Sequence, residues 1–174
     1  MYQAAACPLC EPPEASFACL GGGRFGGHSS IIQGVFPCEA IQAAKTVTNL
    51  PIIVSFSYDR GTRTMMGVKP KDVIKKYSEL GAVMVGANCG TTLENMETIV
   101  KEYVATVPNV PLWVKPNAGV PHMDVETEQG VYDMTPQDMA TYARKYVELG
   151  AKVVGGCCGS TPEHVAAIAK AVKQ

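Results

Sequence analysis

From Pro51 onward the chain alternates short apolar runs with amphipathic stretches, at a period of about 30 residues. Ile52–Phe56 is a run rich in β-branched residues and reads as a buried strand. A helical stretch follows from Pro70 to Leu80, and Gly81 closes it in the usual C-terminal manner. Val83–Gly86 is the next strand, with a helix over Leu93–Val107. Pro111–Lys115 is the third; its helix opens on Thr135-Pro136, a cap followed by proline at the first helical position, and ends at Leu149-Gly150. Val153–Gly155 is the fourth, and Thr161-Pro162-Glu163 repeats the cap–proline signal before a last helix. Strands apolar on both faces, alternating with helices, predict an α/β fold with a parallel sheet and helical crossovers. A weaker fifth unit pairs Ser30–Ile32 with a helix around Glu39–Val47. Residues 1–29 fit no period; with Pro12-Pro13, Gly21–Gly23 and Gly26-Gly27 they are expected to be irregular or disordered, leaving 30–174 as the domain.

Inside this rhythm lies a repeat. Glu79-Leu80-Gly81-Ala82, Val85-Gly86, Cys89-Gly90, Thr92 and Glu94 recur as Glu148-Leu149-Gly150-Ala151, Val154-Gly155, Cys158-Gly159, Thr161 and Glu163, at a constant offset of 69. Two units thus end a strand in a glycine-rich turn bearing cysteine, just before a capped helix. In parallel α/β proteins this end of the strands carries the site.

Composition narrows the chemistry. Charged residues are 18% of 174, too few for a disordered or coiled-coil chain. A net charge of −1 lacks the basic excess of a nucleic-acid binder, and no apolar run reaches the ~18–20 residues of a membrane span. The first residues lack the pattern of a secretion signal. Seven cysteines, an odd number in a chain of this size, fit reduced thiols in the cytoplasm better than a disulfide framework.

Metal ligation is therefore the question for the cysteines. Cys89 closes one strand, and Cys157 with Cys158 closes another. Three thiolates would leave a zinc ion one open tetrahedral position, the pattern of a catalytic site. The alternative is small buried hydrophobes at strand ends. Cys7 and Cys10 have zinc-knuckle spacing but no matching second pair, and read as incidental thiols. His122 and His164 suit surface or capping roles better than ligation. Gly21–Gly27 lacks the Gly-Lys-Ser/Thr of a phosphate loop.

Val85-Gly86-Ala87-Asn88-Cys89 and Gly155-Gly156-Cys157-Cys158-Gly159-Ser160-Thr161-Pro162-Glu163-His164 resemble the two zinc motifs of the homocysteine S-methyltransferase family. Lys115-Pro116-Asn117-Ala118-Gly119-Val120-Pro121, between them, resembles its methionine-synthase branch more than its betaine branch. The resemblance covers about residues 38–174 and implies the C-terminal half of a (β/α)8 barrel, an architecture of ~250 residues when whole. It implies zinc on Cys89, Cys157 and Cys158, homocysteine sulfur as fourth ligand, and methyl transfer to that thiol, forming methionine. Asn88 and Asn117 would line the substrate site, although each equally suits a turn. Candidate donors are methylcobalamin on a separate domain or protein, or a small sulfonium or betaine-type compound. The family usually ends the strand before the Glu39 helix in Glu-Thr, whose carboxylate helps hold the amino acid; Ile32-Gln33 stands at that place. Loss of the family pattern upstream of about Cys38 sets a rival expectation: an inactive, zinc-binding half-barrel from a truncated or frame-disrupted gene, or a divergent one. Either form is expected to self-associate through open barrel edges.

Overall fold

The computed structural model describes residues 17–19, 37–47, 49–125 and 130–173. Five strands form one sheet. Strand β1 (Phe17–Cys19) precedes helix α1 (Pro37–Val47), followed by β2 (Ile53–Ser57), α2 (Pro70–Glu79), β3 (Met84–Asn88), α3 (Leu93–Thr106) and β4 (Leu112–Lys115). A two-stranded strap, β5 (His122–Met123) and β6 (Gly130–Val131), interrupts the rhythm before α4 (Pro136–Glu148), β7 (Ala151–Gly155) and α5 (Pro162–Val172). The sheet order is β1-β7-β4-β3-β2, with β2, β3, β4 and β7 parallel. Four consecutive parallel strands with their helices match the partial barrel expected from the sequence.

The repeat is visible in the backbone. Gly81 and Gly150 take the left-handed conformation just past α2 and α4, at φ of 79° and 111°. Thr92 caps α3 by accepting the Asn95 N–H, and Thr135 forms a reciprocal capping box with Asp138 ahead of α4.

One face of the sheet carries Val85, Ala87, Leu112, Val114, Ala151 and Val154, which join Ile74, Met96, Ile99 and Met139 of the helices in a single core. Alternation sends Ser55, Ser57, Gly86, Asn88, Trp113 and Lys115 to the opposite, concave face. Gly86 is required there. Trp113 is its register partner, and a Cβ on Gly86 would come within 2.5 Å of the Trp113 carbonyl oxygen. Behind it, buried Tyr103 donates to the Gly86 carbonyl at 3.2 Å and shares a 2.5 Å contact with the Tyr58 hydroxyl.

Two expectations change. Phe17–Cys19, inside the segment expected to be irregular, forms β1 and pairs antiparallel with β7. Three residues are too few to show a period. The same strand covers one of the two edges expected to be open; β2 has no strand on its outer side among the described residues. The Cys7/Cys10 pair, Gly21–Gly27, the Ser30–Ile32 strand and the Ile32-Gln33 position lie outside the described residues.

Candidate metal centre

The thiols of Cys89, Cys157 and Cys158 converge at the C-terminal ends of β3 and β7, all within 4.8 Å of one another. Each is placed by the end of β4, the strand between. The Cys89 N–H donates to the Lys115 carbonyl at 3.1 Å, and the Cys157 N–H to the Pro116 carbonyl at 2.9 Å. The Cys158 N–H donates to Asn117 Oδ1 at 3.2 Å, while the Cys158 carbonyl accepts from the Ala118 N–H at 3.0 Å. Because β7 ends at Gly155, Cys157 and Cys158 lie in a turn and escape the alternation that would send them to opposite faces. Cys89 has φ of +52°, the one non-glycine residue with positive φ among those described. Such a conformation costs about 1–2 kcal/mol, and its occurrence at a ligand turn fits strain held in place by surrounding contacts. Here the Thr91 N–H bonds to the Cys89 carbonyl, and Thr91 Oγ1 donates to the Gly61 carbonyl at 2.8 Å.

The donor set suits a soft ion. Two thiolates bound to one tetrahedral zinc at about 2.3 Å stand about 3.8 Å apart; Cys89 and Cys158 Sγ are 3.8 Å apart. The Cys157 thiol hydrogen-bonds the Cys89 sulfur and holds Cys89 down to about 5, against burial, with help from Asn88. The same contact, with burial and the negative charge of its neighbours, pushes Cys157 upward. One thiolate thus stands ready before any metal arrives. Cys158 is exposed, so the cluster is open on one side.

Asn88 and Asn117, both expected at the site, are there and buried. Asn88 accepts a 2.6 Å bond from Ser55 Oγ and hydrogen-bonds Cys89; Asn117 braces Cys158. His164 stays out of the cluster. Its Nδ1 accepts the Thr161 N–H at 3.1 Å, so Nε2 carries the proton to the Met134 carbonyl at 2.8 Å. It caps α5 and ties that helix to the segment between β6 and α4. His122 pairs with Asp133 at 3.3 Å, also away from the thiols.

Sequence reasoning missed Tyr132 and Asp59. The Tyr132 ring lies on Gly159, where any Cβ would overlap it, and its hydroxyl hydrogen-bonds Cys158. Asp59 accepts from Ser57 Oγ at 2.8 Å and sits against Gly90, where a Cβ would come within 2.8 Å of its carboxylate. Only long-range packing brings either to the site.

The model of the family described as homocysteine S-methyltransferase matches residues 31–172. The chain belongs to the homocysteine S-methyltransferase family. Methionine synthase of Mycobacterium leprae is 28% identical over 125 residues, covering 71% of this chain and 10% of that protein. Methionine synthase of Mycobacterium tuberculosis is 27% identical over a stretch of the same size. The chain therefore spans about a tenth of the length of these curated relatives. Among solved structures, the homocysteine methyltransferase MmuM from Escherichia coli is similar in its metallated form, with a TM-score of 0.58, 24% identity, and coverage of 77% of this chain and 39% of that one. Its apo form gives 0.60 at 23% identity, covering 44% of that chain. At those identities the likeness is one of fold. Among the described residues, no helix is long and apolar enough to cross a membrane.

Proposed function

We propose that the domain, residues 30–174, takes part in methyl transfer to the thiol of homocysteine, forming methionine, with zinc held by Cys89, Cys157 and Cys158. The observation that carries this is the cluster itself: three thiols within 4.8 Å, placed by one strand end and open on one side. A bound zinc ion would keep an acceptor thiol, which ordinarily titrates near ~8.5, as the nucleophilic thiolate at neutral pH. The chain's own residues supply the rest. Asn88 and Asn117 line the site, Asn88 through a hydrogen bond to the Cys89 thiol and Asn117 by accepting the Cys158 N–H. Half-buried Trp113, lying against Gly86, adds an apolar surface beside them. The methyl donor is methylcobalamin on a separate domain or protein, the cobalamin-binding partner, or else a small sulfonium or betaine-type compound. A reducing compartment, the cytoplasm, suits the unpaired thiols of Cys38, Cys89, Cys157 and Cys158.

Protein purified anaerobically is expected to carry about one zinc per chain. Serine at Cys89, Cys157 or Cys158 should each abolish binding, and Cys38→Ser should leave it intact. Homocysteine should then appear as a new sulfur ligand by X-ray absorption, and methionine should form with one of the named donors. Zinc retained by Cys157→Ser and Cys158→Ser would refute the ligand set. A full zinc complement with no response to homocysteine would favour the inactive half-barrel.

A further inference from the structure

An amino-acid thiol bound by its sulfur still carries an ammonium and a carboxylate, two methylenes from that sulfur. The concave face must present charges to meet them. Of Ser55, Ser57, Gly86, Asn88, Trp113 and Lys115, which form that face toward the thiols, Lys115 alone is charged. Its register partner is Asn88, the residue before Cys89, and its own carbonyl receives the Cys89 N–H. Its ammonium lies 5.6 Å from the centre of the Trp113 ring, so the indole supports the side chain on the concave face. Trp113 in turn lies against Gly86. The other charge comes from the β2 turn. Asp59 stands against Gly90, the residue after Cys89, with its carboxylate oriented by Ser57 Oγ at 2.8 Å. A cationic and an anionic residue thus adjoin the Cys89 turn, Lys115 through its main chain on β4 and Asp59 from the turn after β2.

We propose that Lys115 and Asp59 form a clamp for a zwitterion, Lys115 meeting the carboxylate of the acceptor and Asp59 its ammonium. The inference rests on the thiol-binding reading above and specifies which end of the acceptor each residue recognises. A charge-assisted hydrogen bond is directional and is lost when either partner loses its charge. The two residues should therefore discriminate between thiols that lack one charge or the other.

The test uses the zinc-loaded chain and three thiols: homocysteine, 3-aminopropanethiol, which lacks the carboxylate, and 4-mercaptobutyrate, which lacks the ammonium. Binding is read by calorimetry and, on cobalt-substituted protein, by the sulfur-to-cobalt charge-transfer band. Lys115→Met should weaken homocysteine and 4-mercaptobutyrate by about tenfold or more and leave 3-aminopropanethiol unchanged. Asp59→Asn should do the reverse, weakening homocysteine and 3-aminopropanethiol alone. Lys115→Arg should recover part of the loss. The thiol each variant still binds doubles as its control for folding and metal content. Equal weakening of all three thiols by Lys115→Met would place the lysine on the metal thiolates and overturn its assignment. Equal binding of all three by parent and variants would overturn the clamp while leaving thiol binding intact. Failure of the parent to bind any of them would overturn both readings.

Discussion

Gly86→Ala is the most direct probe of how the sheet sets the metal centre. The added methyl would lie 2.5 Å from the Trp113 carbonyl oxygen, 2.8 Å from Trp113 Cβ and 3.0 Å from its Cδ1, where ordinary contacts begin at 3.4 Å. The nearest of these atoms is backbone, in register across the β3–β4 pair, so no rotamer change relieves it. Nor is β3 free to retreat, since Tyr103 holds the Gly86 carbonyl from the helix side. Overpacking of a well-filled core costs about 1–3 kcal/mol. At ~2–4 °C per kcal/mol for a domain of this size, the midpoint should fall by roughly 2–12 °C. Because β3 leads directly into Cys89 and β4 into Pro116-Asn117, the same displacement should weaken zinc binding, measured by competition with a chromophoric chelator. Gly130→Ala is the control: nothing lies within 4 Å of its added methyl, and it should melt with the parent. A Gly86→Ala protein that melts within about 1 °C of the parent and holds zinc as tightly would refute the reasoning.

In metal-free protein at about pH 6, iodoacetamide should label Cys89 ahead of Cys157, because Cys89 is thiolate above about 5 while Cys157 is pushed upward. Labelling of Cys89 should fade as pH falls through that value, and equal labelling by mass spectrometry would contradict the assignment. Thr135→Ala removes the side chain that accepts the Asp138 N–H at 3.2 Å and should cost about 1 kcal/mol, lowering the thermal midpoint by ~2–4 °C; an unchanged midpoint would count against the capping box as a stabilising element. Half-buried Ile53–Ser57 of β2, with no strand on its outer side among the described residues, should drive self-association. Light scattering that finds a monomer across the micromolar range would exclude that edge as an interface.

What the sequence made legible was local. The apolar runs around Val54, Val85, Val114 and Val154 gave all four parallel strands within two residues, because strands buried in a parallel sheet leave continuous hydrophobic runs. The cap–proline signals located the starts of α4 and α5 for the same reason: a helix end declares its chemistry within a few residues. The three cysteines were legible through the glycines around them. The remainder depends on distance in the chain. No property of Tyr132 or Asp59 announces that one lies on Gly159 and the other against Gly90; crossovers and the strap bring them there. The left-handed Cys89 was hidden because the bonds that hold that backbone include distant ones, from its N–H to Lys115 and from Thr91 to Gly61. β1 was missed because its pairing with β7 is antiparallel and outside the repeating units.

The end of β4 and the residues after it touch both cysteine turns through the cysteines' main chain: the Lys115 carbonyl to Cys89, the Pro116 carbonyl to Cys157, and the Asn117 side chain with the Ala118 N–H to Cys158. None of these bonds involves a sulfur atom. The sulfurs therefore hang from a frame that is assembled without them, and emptying the centre leaves every bond of that frame in place. A zinc ion bound as proposed would then enter and leave past exposed Cys158 without any unravelling of that frame. Its departure would leave the frame's shape for the next one.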